Sequence, residues 1–336
     1  MKKILFITLL LSGLLSTAQQ NVNDLLAAGV DDAQRFTNDY LAPASEGLMY
    51  GMSNGWFNSA KAKPFLGFEI SIIGNISPVK DGKKSFVLNT ADYENLQFTD
   101  GSVSKEVATA LGDIEGIEVY VEGEVAPGVT ERAEFTLPTG LASENVNFVP
   151  TAFLQASVGL FKGTEVKMRF FPKVDSDDVK VGFYGFGVQH EFTEWLPVDN
   201  LFPVAISGLI GYTHLDGSYD FTDTGVVDGE NQRFETGANT WVFQAIASTK
   251  LPVINFYGSL GYLTGKSQTD LLGTYVVQSG PFQEETITDP FSVSKKASGV
   301  KATLGTKLKL SFFRLNVDYT LAEFNSLNVG VNFGFR

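Results

Sequence analysis

The sequence predicts an all-β protein, a transmembrane antiparallel up-and-down β-barrel of about 12 strands, in a range of roughly 10–14, preceded by an N-terminal helical plug segment. Three observations support this fold class. Many segments alternate apolar and polar side chains, the N-terminus has the composition of a secretory signal, and no later stretch is apolar for about 18 residues. Because a barrel presents apolar side chains to lipid in alternation, it needs no continuous apolar run.

The last strand of the chain has the clearest alternation. Its apolar positions are Leu327, Val329, Val331, Phe333 and Phe335, and small or polar residues lie between them. Successive side chains of a strand point to opposite faces, so the segment has one apolar and one polar face. Its length suits a tilted membrane-spanning strand of about 9–11 residues. The closing strand of a soluble antiparallel sheet would show the same pattern, so the rest of the chain decides.

The first 18 residues predict a cleaved signal peptide. Lys2 and Lys3 form the basic n-region, an apolar stretch follows, and small residues precede a cut after Ala18. Removing the two lysines takes the formal net charge from −13 to −15. This acidity argues against a nucleic-acid partner, which requires a basic surface.

Composition also limits the chemistry. The chain has no cysteine, which excludes disulfides, thiolate metal sites and cysteine nucleophiles. The two histidines, His190 and His214, lack a catalytic constellation around them, and no glycine-rich segment leads from a strand into a helix. We therefore expect no enzyme activity, no catalytic residues, no metal and no cofactor.

The mature chain is predicted to begin with a plug, residues 19–63. Apolar residues recur at helical spacing over residues 21–40, and Pro43 is expected to end that helix. Residues 41–63 predict compact, irregular structure. The barrel is assigned to residues 64–336. Within it, the sequence does not decide whether the acidic tract 84–146 belongs to the barrel wall or to an extracellular part. In that tract, Val103–Leu111 predicts a short helix.

Long alternating segments predict the barrel strands, and their connections alternate in length. Strands over residues 149–160, 203–215, 253–265 and 297–310 exceed the usual length of about 5–6 residues. Tight connections at residues 161–163, 250–253 and 310–312 alternate with the long polar tracts 216–237 and 266–296. This rhythm is typical of periplasmic turns and extracellular loops. The aromatic residues expected at the membrane interfaces are Tyr184, Tyr212, Trp241, Tyr262, Tyr319 and Phe335.

The polar faces of the strands carry charges that a barrel would direct into its lumen. The predicted lumen-lining residues are Glu69, Lys167, Arg169, Lys301, Lys307, Lys309, Arg314 and Asp318. The predicted plug residues are acidic, namely Asp24, Asp31, Asp32, Asp39 and Glu46. Because charges interact more strongly in a narrow lumen than on an open surface, one hypothesis is that the acidic segment closes a basic lumen. The alternative is that the charges are solvated or paired along the wall.

Several motifs resemble an uncharacterised family of outer-membrane β-barrel proteins from Bacteroidota. They are Phe153–Leu160, Lys162-Gly163-Thr164-Glu165, Arg169-Phe170-Phe171-Pro172, Gly187-Val188-Gln189-His190 and Trp195-Leu196-Pro197. Leu41-Ala42-Pro43-Ala44 more loosely resembles the Asn-Pro-Ala plug motif of the long-chain fatty-acid transporter (FadL-type) barrels. The first resemblance implies a fold and an outer-membrane location rather than an activity.

Three functional interpretations remain open. The first is a porin-like passive channel or diffusion transporter for small molecules, hydrophobic ones included. The second is a structural or partner-binding outer-membrane barrel with a blocked lumen, and the third is a secreted soluble β-protein. The expected partners are outer-membrane lipid, the barrel-assembly machinery during biogenesis and a small hydrophobic ligand.

Overall fold

The computed structural model describes residues 22, 24–126, 128–175, 178–195, 203–221, 229–278 and 284–335. The predicted signal peptide lies outside the described residues. The strands are β1 (Phe68–Pro78), β2 (Ser85–Asn89), β3 (Gln97–Phe98), β4 (Ser104–Ala108), β5 (Glu118–Ala126), β6 (Val129–Thr136), β7 (Phe148–Gly159), β8 (Thr164–Asp175), β9 (Val179–Glu191), β10 (Val204–Asp220), β11 (Arg233–Thr249), β12 (Ile254–Leu272), β13 (Thr274–Gln278), β14 (Glu284–Thr288), β15 (Phe291–Leu310), β16 (Phe313–Leu321) and β17 (Ser326–Phe335).

Within the described residues, ten strands form a closed antiparallel barrel. Their order is β1-β17-β16-β15-β12-β11-β10-β9-β8-β7, and β7 pairs with β1 to close the wall. Ten is the lower end of the expected range, and the central expectation of about 12 is not reached. The reason is that β2 to β6 pair among themselves, as do β13 and β14, so none of these seven strands enters the wall.

The barrel wall is apolar outside and polar inside. On β1, the side chains of Phe68, Ile70 and Ile72 are 40% to 53% exposed, whereas Glu69 and Ser71 are 2% exposed or less. The same alternation follows β17, where Leu327 is exposed and Asn328 is buried. A soluble β-sandwich packs its apolar face inside. The outer surface therefore needs an apolar surrounding.

The two ends of the barrel differ in their connections. At the terminal end, where Phe68 pairs with Phe335, β15–β16 and β11–β12 join through tight turns. At the opposite loop end, the connections include residues 79–147 and 273–290. The expected alternation of short and long connections is incomplete, because residues 322–325 form a short turn at the loop end.

The N-terminal helix α1 (Val30–Met52) differs from the expectation in its length. Pro43 lies inside α1 and does not end it. A proline within a helix costs about 3 kcal/mol because it removes a hydrogen bond and crowds the preceding turn. Here the second half of α1 is buried in the barrel through Met49, Tyr50 and Met52, and this packing overrides the local signal. In the described residues, no helix is long and apolar enough to span a membrane.

A folded cap covers the loop end. Its core contains helix residues such as Phe36, small-sheet residues such as Leu88 and Phe98, and barrel residues such as Phe234 and Leu271. The predicted helix Val103–Leu111 is wrong: residues 104–108 form β4, which pairs with β2. Strand pairing and burial of Val107 in the cap decide its conformation.

Candidate functional site

The barrel lumen is occupied by α1 and by residues 53–63, which we call the lumen segment. The segment follows α1 towards the terminal end and bonds to inward-facing residues of the wall. Asn54 donates to Ser326 Oγ at 2.9 Å, near the loop end of β17, and Asn58 donates to Glu69 Oε1 at 2.9 Å, near the start of β1. On β11, five strands away from β1 around the wall, Ser248 Oγ accepts the Ala60 N–H at 2.9 Å. The segment is thus held from opposite walls.

Two buried cations bind the C-terminal end of α1. Arg169, fully buried, donates from Nη1 to the carbonyls of Met52 (2.8 Å) and Asn54 (3.1 Å). Lys301 donates to the Ser53 carbonyl at 3.1 Å and also to Asn54 Oδ1. The last carbonyls of a helix lack intrahelical donors and carry the negative end of the helix dipole. The two cations therefore satisfy these acceptors with charges of the favourable sign.

The Arg169 guanidinium is also stacked between aromatic rings. Its Cζ lies 3.5 Å from the Trp56 ring centroid and 4.1 Å from the Phe153 ring centroid. Trp56 in turn lies against the wall where β9 and β10 carry glycine. A Cβ added at Gly187 or Gly211 would lie 2.8 Å or 2.7 Å from the indole. These glycines are needed for close approach, and they form the recess that holds Trp56.

Charged groups nearer the terminal end are paired with each other. Glu69 lies 2.6 Å from Arg314 Nη1, 3.5 Å from Lys307 Nζ and 3.6 Å from Lys63 Nζ. Glu165 accepts from Lys63 at 2.8 Å and from Lys167. Two carboxylates of the wall are thus shared among four cations.

The structure places all eight predicted lumen-lining residues on the inward side of the wall. Lys309 and Arg314 are half-buried, and the other six are buried, namely Glu69, Lys167, Arg169, Lys301, Lys307 and Asp318. Their burial follows from the two-residue period of the strands. Asp318 accepts from Tyr257 Oη at 2.8 Å and from Asn328 at 2.9 Å, so it belongs to a separate polar group on β12, β16 and β17.

The predicted plug residues do not meet the lumen bases. Among the described residues, no ion pair joins Asp24, Asp31, Asp32, Asp39 or Glu46 to the predicted lumen-lining bases. Asp32 accepts backbone N–H groups of residues 94–96 in the cap, and Glu46 binds Lys83 at 2.8 Å. The hypothesis that opposite charges match the acidic segment to a basic lumen is therefore wrong. Helix-end carbonyls and wall carboxylates bind five of these six bases instead, and Lys309 is the exception.

Asn54, Trp56 and Asn58 are functional-site residues that the sequence did not predict. They lie in a segment that composition described only as irregular. The signal that could have revealed them is on the wall, where Gly187 and Gly211 leave inward-facing positions of neighbouring strands without side chains. Such a recess requires a large partner from elsewhere in the chain.

An apolar cavity of about 100 Å³ lies between α1 and the wall near the loop end. Helix residues Leu48 and Met52 line one side, and Phe171, Phe183 and Leu215 line the other. Among the described residues that form this cavity, none is charged. The cavity is therefore suited to an apolar molecule.

The cavity adjoins an interruption in the barrel wall. The pairing of β7 with β8 covers Leu154–Gly159 and does not continue towards the loop end in the described residues. Beyond Phe170, β8 carries Pro172, which has no N–H for a ladder, and its register with β9 shifts between Phe171 and Val174. The edges of β7 and β8 therefore separate beside the cavity.

The cavity reaches both faces of β7. Val149 and Thr151 point into the barrel, whereas Pro150 and Ala152 point outward, and all four line the cavity. The cavity therefore borders β7 where its ladder with β8 stops. This geometry places the apolar space beside α1 next to the outer, apolar surface of the barrel.

Comparisons with known proteins give one family match. A model described as "Family of unknown function (DUF6588)" matches residues 1–335. No curated protein matches the chain. The chain is similar to solved structures of Ail, the attachment invasion locus protein of Yersinia pestis (11% identity, 81% of this chain and 100% of that chain, TM-score 0.26), and of the β domain of the Bordetella autotransporter BrkA (9% identity, 80% and 100%, TM-score 0.32). It is also similar to the Pseudomonas putida toluene transporter TodX (8% identity, 81% and 90%, TM-score 0.26).

Proposed function

The chain belongs to the DUF6588 family of unknown function, and we propose that it is an outer-membrane barrel that binds small apolar molecules beside α1. These molecules exchange with the bilayer through the gap between β7 and β8. The observation that carries the proposal is the cavity lined by both faces of β7. The proposal assigns no enzymatic activity and no cofactor.

The inverted burial of the wall supports the membrane part of the proposal over a secreted soluble protein. Side chains such as Leu260, Val300 and Leu304 are more than 70% exposed on the outside. The apolar outer band ends towards the loop end at an aromatic level, where Tyr212 pairs with Trp241 and Tyr212 Oη donates to Asn239. Such aromatic belts are typical of membrane interfaces. Insertion would require the outer-membrane lipid and the barrel-assembly machinery as partners.

The filled lumen favours a lateral route over an axial one. In this proposal α1 and the lumen segment act as the plug, and Arg169 and Lys301 hold it in place. A porin-like axial flow of solutes would require the segment to leave the barrel. The cavity, at about 100 Å³, limits the ligand to molecules smaller than benzene, because benzene requires an apolar cavity of roughly 150 Å³.

A second candidate function is a structural or partner-binding barrel with a blocked lumen. The observation that favours it is the cap, in which the loop-end strands and the sheets β2–β4 and β3–β5–β6 share one core. In the orientation where short turns are periplasmic, this cap faces the cell exterior. A barrel of this kind would bind no apolar ligand, so ligand binding separates the two functions.

The test is ¹²⁹Xe NMR of xenon with the purified protein in nanodiscs, because a xenon atom is smaller than benzene and binds apolar cavities. Wild type is expected to show a bound resonance distinct from the lipid-dissolved one. Ala44→Phe fills the cavity and should remove that resonance, whereas Ala152→Phe narrows the gap and should slow exchange. Ala245→Phe, an equivalent change on an outward position of β11, is the matched control. A bound resonance that survives Ala44→Phe, or exchange that Ala152→Phe leaves unchanged, would refute the proposal.

A further inference from the structure

A second pocket, separate from the apolar cavity, opens at the terminal end of the lumen. We call it the vestibule, and its volume is about 500 Å³. It lies beneath the lumen segment and is lined by six cationic side chains and three carboxylates. The cations are Lys61, Lys63, Lys167, Lys307, Lys309 and Arg314.

The two buried carboxylates of the vestibule, Glu165 and Glu191, are already engaged. Glu165, 1% exposed, binds both Lys63 and Lys167. Glu191, 3% exposed, accepts the Ala62 N–H at 2.8 Å and the Thr193 hydroxyl at 2.8 Å. Glu194 lies at the exposed rim. Even with Glu69 added behind the lining, the cations exceed the carboxylates by two.

The excess charge can be located on particular side chains. Among the described residues, Lys61 and Lys309 have no carboxylate within ion-pair distance, and the nearest acceptor of Lys309 Nζ is the Leu251 carbonyl at 3.5 Å. Arg314 shares Glu69 with two other cations, and its buried Nε has no hydrogen-bond acceptor in the described part of the chain. The absence of a side chain at Gly334 makes room for this guanidinium, because a Cβ there would lie 2.5 Å from Arg314 Nη1.

Uncompensated positive charge in a partly buried pocket is unfavourable, since the surrounding protein screens it less than water does. An anion that enters the vestibule would remove this cost and would satisfy several N–H donors at once. Charge-assisted bonds from lysine and arginine to phosphate or carboxylate oxygens are among the stronger hydrogen bonds in proteins. The excess of two positive charges matches a dianion.

From these observations we propose that the vestibule is a binding site for a small oxyanion with two negative charges, of the class of inorganic phosphate. Lys309, Arg314 and Lys61 bind it, and Lys307 lies behind them. The proposed ligand is a water-soluble anion rather than a lipid headgroup, because these side chains face the lumen and the barrel wall separates them from lipid. The proposal does not depend on the apolar cavity, because the two pockets share no lining residue.

Isothermal titration calorimetry with sodium phosphate tests the site on the purified full-length protein in zwitterionic micelles, at constant ionic strength set with sodium chloride. Wild type is expected to bind one phosphate saturably. The double variant Lys61→Gln/Lys309→Gln changes two side chains at the rim of the site and should lower the affinity at least tenfold. Lys162→Gln/Lys250→Gln removes the same charge from two turns at the terminal end outside the vestibule and should bind as wild type does.

Two results would overturn the proposal. One is phosphate binding no tighter than chloride at equal ionic strength. The other is equal affinity in the two double variants, which would place the binding on general surface charge. Repeating the titration with micelles that contain phosphatidylglycerol distinguishes the source of the anion: unchanged phosphate affinity supports a soluble ligand, and competition by the lipid opposes it.

Discussion

Replacing Arg169 by methionine tests what holds the lumen segment in the barrel. The change removes three hydrogen bonds, to the Met52 carbonyl at 2.8 Å, the Asn54 carbonyl at 3.1 Å and Gln155 Oε1 at 2.9 Å. A buried acceptor left without a donor costs about 1–3 kcal/mol. Relief of the desolvation of the guanidinium offsets part of this loss. We therefore expect the occupied state to lose about 2–4 kcal/mol relative to the displaced state.

A loss of this size has a measurable kinetic consequence. At about 1.4 kcal/mol per factor of ten, the population of barrels with a displaced segment should rise roughly 30- to 700-fold. Because the chain contains no cysteine, a single introduced thiol reports without interference. Ser248 is suitable: it is 3% exposed and accepts the Ala60 N–H at 2.9 Å, so the lumen segment covers it.

The assay compares maleimide labelling rates of Ser248→Cys with and without Arg169→Met. Arg169→Met should accelerate labelling roughly 30- to 700-fold. The control Arg132→Met removes an arginine from the surface of the cap and should leave the labelling rate unchanged. If the double variant Ser248→Cys/Arg169→Met is labelled at the same rate as Ser248→Cys alone, Arg169 does not hold the lumen segment, and helix-end capping does not explain its position.

Three further predictions concern other contacts. Gly211→Ala should lower the thermal unfolding temperature by several degrees in heat-modifiability gels, because its Cβ would lie 2.7 Å from the buried indole, whereas Gly217→Ala, with no neighbour nearer than 3.7 Å, should not. Replacing residues 53–60 with a Gly/Ser linker should raise conductance in planar bilayers, while neutralising the exposed carboxylates of α1 should leave it low. The Lys83 hydrogen bond holds the pKa of Glu323 below its ordinary value of 4.5. That contact should stabilise the β16–β17 turn above this pH and be lost as pH falls through the lowered pKa, and amide exchange should show that Glu323→Gln removes the dependence.

The wall was predictable because its period of two residues is written directly in the sequence. In segments such as Leu327–Phe335, apolar and polar residues alternate without interruption, and each segment pairs with one strand on either side. The same alternation cannot tell lipid from a protein core, and only the exposure of side chains such as Ile72 decides between them. The strand count was less predictable, since β5 and β6 are also alternating segments but pair outside the wall. Their pairing with each other rather than with the wall depends on the core they share with α1.

The site was predictable on the wall and not in the lumen. Arg169 and Lys301 could be assigned to the inward face by counting along their strands. Their partners could not be assigned, because the carbonyls of Met52 and Ser53 belong to a helix end, which depends on where the helix stops. Pro43 gave a misleading stop signal, which placed the expected helix end before residue 43 rather than at Met52. A local rule about one residue was overridden by burial of the following turn.

The same features connect the closed lumen with the open wall. A helix that fills the axis of a ten-strand barrel contacts side chains on several strands, and α1 buries Met49, Tyr50 and Met52 in doing so. Beside Phe171 the wall loses its regular register, so the helix does not fill the space there and an apolar cavity remains. In the proposed function, the filled axis blocks passage along the lumen, and the interrupted β7–β8 ladder supplies a route of matching polarity to the side. If these two features act together, a variant that restores the ladder, with Pro172 replaced by valine, should reduce exchange with the bilayer and leave the lumen segment in place.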